Sequence, residues 1–166
     1  MHSVHHPDLK LLLETLRPAS LLLIDPNPDG LPPGYLAAYP DCQVTHITHI
    51  KDAILSQLQS LERVDLGVVA NTLEYLDRKT AGRVFARLRD INTRRFVVLV
   101  PIGTAWEGHC SHWETTDLLG YGMTLMVRYR VDDKPLHLYH YAIETYKTTP
   151  DWLNSKHWAH PEHWKP

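Results

Sequence analysis

The segment Asp65-Leu66-Gly67-Val68-Val69-Ala70-Asn71-Thr72-Leu73-Glu74-Tyr75-Leu76-Asp77 reads as three pieces in succession. Asp65 to Ala70 is a continuous apolar run of strand length, the pattern of a strand covered on both faces in the middle of a parallel sheet. Asn71 and Thr72 interrupt it. Asp77 has the side chain of a helix N-cap, and the residues after it, from about Lys79 to Asp90, read as a helix. Strand, turn and helix in this order form one unit of an α/β sheet. In such sheets ligands sit beyond the carboxyl ends of the strands, so the turn from Asn71 to Asp77 is a place to look for chemistry.

Working outward, the same unit recurs on both sides. Leucines at 9, 12, 13 and 16 predict a helix from Asp8 to Arg17, with Asp8 as N-cap and Pro18 as its stop. Ser20 to Asp25 is a second buried strand ending on an acid. Pro26 to Pro40 holds five of the twelve prolines, which leaves room for a loop and a short helix from Gly34 to Tyr39. Gln43 to Ile47 reads as a short strand, and Ile50 to Leu61 as a crossover helix with Ile50, Ile54, Leu58 and Leu61 on one face. Beyond the central unit, Arg95 to Val100 is another buried strand. A loop then runs from Pro101 to Trp113, and a short helix from Thr115 to Leu119 stops at Gly120 or Gly122. Thr124 to Val131 and Leu136 to Tyr146 alternate in aromatic and β-branched residues around Asp132-Asp133-Lys134-Pro135, the signature of an antiparallel hairpin. The expected fold is a Rossmann-like three-layer α/β sandwich with a mostly parallel sheet and a C-terminal antiparallel hairpin. Residues 1–146 form its single domain. Residues 147–166, with Trp152, Trp158 and Trp164, are expected to pack on it as an extended tail.

The order of elements and two local strings resemble the class I S-adenosylmethionine-dependent methyltransferase superfamily, in a small, divergent bacterial form. Asp65 to Asp77 is similar to that family's fourth-strand motif, where a Leu-Glu-aromatic-Leu turn lies beside the cofactor. Leu119-Gly120-Tyr121-Gly122 before the hairpin resembles the family's Gly-aromatic lead into its last two strands. The resemblance spans roughly residues 20–146 and implies S-adenosylmethionine as cofactor, with Asp25, Asn27, Asp29, Gly30, Asn71, Leu73, Glu74 and Tyr75 around it.

Three departures from the family pattern stand beside this likeness. The family's first loop is rich in glycine, so that backbone can come close to the cofactor. Here it reads Asp25-Pro26-Asn27-Pro28-Asp29-Gly30, with Asn27 and Asp29 near two glycine positions. Asn and Asp accept left-handed backbone better than other residues, so the loop is expected to keep its shape. Its prolines nevertheless remove N–H donors, and Asp29 adds a carboxylate. The acid expected at the end of the second strand, where a carboxylate would accept from a ribose diol, is replaced by His46, Ile47 and Thr48. A single helix separates that strand from Asp65, so one edge strand of the family's sheet is expected to be missing.

Composition narrows the function classes. The chain has 166 residues, 43% of them hydrophobic and 22% charged, as globular domains do. A formal charge of −2 argues against a broad nucleic-acid surface. The arginines at 83, 87, 89, 94 and 95 read as the solvated face of a helix and its following turn. No apolar run reaches the roughly 18 to 20 residues needed to span a bilayer, and Met1 to Pro7 lacks the features of a signal peptide, so no membrane and a cytoplasmic location are expected. Cys42 and Cys110 are expected to be free thiols. Twelve histidines make the charge acid-sensitive. His109, Cys110 and His112 are the donor types closest to a zinc set, but no paired Cys-x-x-Cys accompanies them and no metal is expected. His137 and His140 fall on opposite faces of a strand. Trp106 and Trp113 are expected to cover an apolar edge. Two functions follow. One is a methyltransferase-like protein with a degenerate cofactor site that acts by binding a protein or small-molecule partner. The other is an active methyltransferase on a small or macromolecular acceptor.

Overall fold

The computed structural model describes residues 4–51 and 53–146; the expectation for the tail from 147 to 166 lies outside them. Six strands form one sheet: β1 (Ser20–Ile24), β2 (Gln43–Ile47), β3 (Val64–Val69), β4 (Thr93–Pro101), β5 (Thr124–Val131) and β6 (Lys134–Ala142), in the order β2-β1-β3-β4-β6-β5. The first four run parallel, and β6 is antiparallel to both β4 and β5. The sheet ends on β2, as the single helix between the second strand and Asp65 predicts.

Helices α1 (His6–Leu16) and α2 (Tyr35–Ala38) lie on one face; α3 (Ile54–Gln59), α4 (Arg78–Arg87) and α5 (Thr115–Gly120) lie on the other. The period-two alternation of strand side chains sorts the core accordingly. Leu21, Leu23, Leu66, Val68, Val97 and Leu99 pack with Leu9 and Leu13 of α1. Leu22, Ile24, Val69, Phe96 and Val98 pack with Ile54, Leu58, Val84 and Phe85. Two polar side chains, Asn92 buried and Asp65 half-buried, fasten the layers. Asn92 donates to the carbonyls of Leu58 and Leu61, holding the end of α3 to a wide π turn, Leu88–Asn92, that follows α4. Asp65 accepts from the backbone of Ala19 and Ser20, which aligns the start of β3 with that of β1. A short helix, α6 (Ile143–Tyr146), follows β6. Among the described residues no helix is long and apolar enough to cross a membrane.

Local readings change in five places. α1 begins at His6, not at Asp8, because Pro7 suits the first turn, where its missing N–H is not needed. Asp8 instead accepts the Tyr129 hydroxyl at 2.6 Å from β5. α3 is shorter than expected, its approach held by Gln57 donating to the His49 carbonyl. The hairpin turn is tighter than expected: Asp132 and Asp133 both take left-handed backbone, φ 50° and 62°, and Lys134 and Pro135 are already paired. The last strand stops at Ala142. Trp106 and Trp113 are core residues, 6% and 0% exposed, and do not lie over an edge. Asp77 caps α4 as expected, accepting from the Thr80 N–H at 2.9 Å. His137 and His140 face opposite sides of β6, and both cysteines are free.

Two successive left-handed residues are the geometry of a type I′ turn, which costs least with glycine at its second position. Asp133→Gly should stabilise the protein by about 1 kcal/mol and raise its melting temperature by about 3 °C, measured by thermal unfolding of the two proteins side by side.

Candidate functional site

β1 and β3 end level with each other, Ile24 opposite Val69, and the chain leaves the sheet at both points. The Asp25 N–H donates to the Ile47 carbonyl and the Ala70 N–H to the Ile24 carbonyl, so the backbone at the crest is held before any side chain acts. Asp25 is 1% exposed. Its carboxylate accepts the Asn27 N–H at 2.8 Å and the Asn71 side-chain amide at 3.1 and 3.2 Å. Burial pushes the acid above the usual carboxylate range, and the bonds from Asn27 and Asn71, with His46 and His6 nearby, pull it back. The His46 Nε2 lies 2.8 Å from the Asp25 carbonyl oxygen.

The loop after β1 is folded inward. Asn27 donates its N–H to Asp25 and accepts the Asp29 N–H at 3.2 Å on its own side chain, two consecutive Asx turns. Neither Asn27 nor Asp29 is left-handed; the left-handed residue of the site is Asn71, φ 49°. Gly30 is needed for closeness rather than for φ, since a Cβ there would stand 2.8 Å from the Asp25 Oδ2. The shape expected from Asn and Asp tolerance therefore arises differently, through side-chain bonds to the backbone.

The turn after β3 presents different faces to its two sides. Thr72 is buried and donates to the Ala70 carbonyl at 2.7 Å. Leu73–Tyr75 form one turn of 3-10 helix. The Leu73 side chain is in the core, and its carbonyl accepts the Ser111 hydroxyl, which in turn accepts the Trp113 indole N–H. The Glu74 carbonyl accepts the N–H groups of Cys110 at 2.7 Å and Ser111 at 3.2 Å. Its carboxyl is 4% exposed, and Oε2 has no hydrogen-bond partner among the described residues. Burial pushes this acid up to about 7; backbone N–H groups of Glu74 and Thr72 oppose the shift, and the Asp25 charge adds to it. Tyr75 is 37% exposed and turns to the outside, into a cavity of about 450 Å³ shared with Lys51, Leu55 and Cys110.

Of the residues singled out in the sequence, Asp25, Asn27, Gly30 and Asn71 converge, and Glu74 stands close enough to Asp25 to feel its charge. Asp29 is on the surface, Leu73 in the core, and Tyr75 on the far side of the turn. His6 and His46 join the site without having been among the candidates. His46 was noticeable only as the residue standing where an acid was expected, and His6 carried no local signal. His109 stacks on Trp106, with ring centroids 5.8 Å apart, and meets Tyr75 edge to face at 5.5 Å; the His112 ring is 6.4 Å from it. Among the described residues no three His, Cys, Asp or Glu side chains are grouped to hold a metal ion.

A model of a family of unknown function (DUF6231) matches residues 4–166. No curated protein matches the chain. Among solved structures, TehB from Haemophilus influenzae superposes with a TM-score of 0.55 at 9% identity, over 84% of this chain and 62% of TehB. An O-methyltransferase family protein from Burkholderia thailandensis gives 0.55 at 10%, over 84% and 56%. The chain thus spans less than two thirds of each of these two. Magnesium protoporphyrin IX methyltransferase from Synechocystis, with bound S-adenosylhomocysteine, gives 0.53 at 11% identity, over 82% of both chains. The fold is that of the class I S-adenosylmethionine-dependent methyltransferases.

Because the folded Glu74 carboxyl titrates near 7 instead of its ordinary 4.5, the native state holds a proton that the unfolded chain releases. Stability from this source is complete below pH 4.5, falls as pH rises to 7, and is level above. Over that window the wild-type protein should lose about 3 kcal/mol more than Glu74→Gln, measured by urea unfolding at a series of pH values.

Proposed function

The chain belongs to DUF6231, a family of unknown function, and from that premise we propose that it is a methyltransferase-like protein that has given up ordinary cofactor binding and acts by binding a protein or small-molecule partner. One observation carries the reading: the donors of the first loop are turned inward. Between Pro26 and Gly30 two residues are prolines, and the N–H groups of Asn27 and Asp29 are already bonded within the loop. Gly30, whose backbone would otherwise make a close approach to a ligand, is packed on the Asp25 carboxylate. At the end of β2 an imidazole stands where the family pattern has a ribose-binding acid, and it is bonded to the Asp25 carbonyl. On this geometry the residues present do not offer S-adenosylmethionine its usual donors. Binding would have to break bonds that now satisfy a buried carboxylate, each worth about 1.5 to 3 kcal/mol. The proline-rich surface from Pro26 to Pro40 is the part of the site left for a partner.

The second reading is an active methyltransferase on an unidentified small or macromolecular acceptor. It is favoured by the convergence of Asp25, Asn71 and Glu74 at the carboxyl ends of β1 and β3, and by structural relatives that hold S-adenosylhomocysteine.

Calorimetric titration of the folded protein with S-adenosylhomocysteine separates the two. The expected outcome is no saturable heat at millimolar ligand. Micromolar affinity that disappears in Asn71→Leu would overturn the proposal and favour the second reading.

A further inference from the structure

The cavity on the outer side of the Tyr75 turn is independent of the inward-folded loop. It lies between the start of α3, the start of α4 and the turn, with a volume of about 450 Å³, within the range of small-molecule sites. Its floor is apolar: Ile54 and Leu76 are core residues, 1% and 4% exposed, and Leu55 flanks them half-buried. Its wall is the ring of Tyr75, and that ring is buttressed. His109 meets it edge to face at 5.5 Å, His109 stacks on Trp106 at 5.8 Å, and the Lys134 ammonium lies 5.6 Å from the Trp106 ring. An aromatic wall held from behind loses little freedom when a flat molecule settles on it.

The charges of the cavity are unequal in availability. Among the described residues its charged lining consists of Lys51 and Asp77. Asp77 is committed to the cap of α4, where bonds from Thr80 hold its acid below the ordinary carboxylate range. The Lys51 ammonium has no carboxylate within ion-pair distance among the described residues. Among the described residues, the uncommitted charge at the mouth is positive.

We propose that this cavity binds a small planar aromatic anion, the ring lying against Tyr75 over Ile54, Leu55 and Leu76, and the acidic group meeting Lys51. This goes beyond the function proposed above and does not rest on it, since Tyr75 and Glu74 lie on opposite sides of one turn and the cavity lining omits Asp25 and Asn71.

The probes are 1-naphthoate and its neutral analogue 1-naphthamide, titrated into isotopically labelled protein while amide resonances are followed. With naphthoate, shifts are expected to cluster at Ile54, Leu76, Thr80 and Cys110. Tyr75→Ala, at an exposed position, should weaken binding at least about tenfold. Lys51→Gln should weaken naphthoate by about threefold to fivefold and leave naphthamide unchanged, as expected of an exposed ion pair. The same spectra report that each variant is folded. The proposal fails if no shifts reach saturation at millimolar naphthoate, if they map away from this cavity, if Tyr75→Ala binds as the wild type does, or if Lys51→Gln affects both probes equally. Because S-adenosylhomocysteine would report at Asp25 and Asn71, success or failure here is distinguishable from the outcome of that titration.

Discussion

A carboxylate withdrawn from water at the end of a parallel strand must find hydrogen bonds or become neutral, and Asp25 finds them from two other segments. Asn71, 46 residues away, donates its amide to both oxygens, and Asn27 closes the nearer side. These bonds require the register that the sheet supplies. Ile24 is opposite Ile47 on one side and Val69 on the other, so the residues that follow all three strands emerge at one level. The left-handed backbone of Asn71 and the missing Cβ of Gly30 are the local concessions that let the amide and the loop reach the acid. His46 completes the crest by binding the Asp25 carbonyl. The ends of β1, β2 and β3 are thereby tied to one residue, β3 through the Asp25 carboxylate and β2 through its backbone.

The second constraint comes from outside the sheet. The loop after β4 returns to pair Ile102 with Trp113, and on the way it presents the N–H groups of Cys110 and Ser111 to the Glu74 carbonyl. Ser111 also bridges the Leu73 carbonyl and the Trp113 indole. The turn carrying Leu73, Glu74 and Tyr75 is consequently fixed by its backbone, with its side chains free to differ in environment. Leu73 enters the core, Glu74 faces the dry side near Asp25, and Tyr75 faces the open cavity. Glu74 and the Tyr75 cavity therefore lie on opposite sides of one turn held by its backbone.

Much of the architecture was legible because it is written in short-range patterns. Continuous apolar runs of strand length marked β1, β3 and β4, the alternating segments marked the hairpin, and the short spacing between β2 and Asp65 marked the missing edge strand. Where the reading slipped, a longer-range or competing effect prevailed. Asp8 has the chemistry of an N-cap, but Pro7 moves the helix start and a tyrosine 121 residues away takes the carboxylate. Trp113 looked like a surface cover, yet it supplies core volume against the stacked rings of Phe85 and Tyr121. In the site, Asp25, Asn71 and Glu74 stood out through the family resemblance, but their mutual arrangement did not. A bond between residues 46 apart leaves no periodicity, and a histidine on a neighbouring strand end is indistinguishable in sequence from any other.

The hydrophobic layers of this fold do not need the first loop to face a ligand, so a loop whose N–H groups turn inward leaves the sheet intact. Persistence of the fold is for that reason no measure of retained chemistry. A better measure is a polar group that packing alone does not require. Glu74 lies between a core leucine and an exposed tyrosine, its carboxyl buried with one oxygen unbonded among the described residues, where an apolar residue would avoid the desolvation cost. Asp25 differs, because every bond it accepts also fastens the crest. The distinction separates an acid whose bonds fasten the structure from one whose burial packing alone does not require.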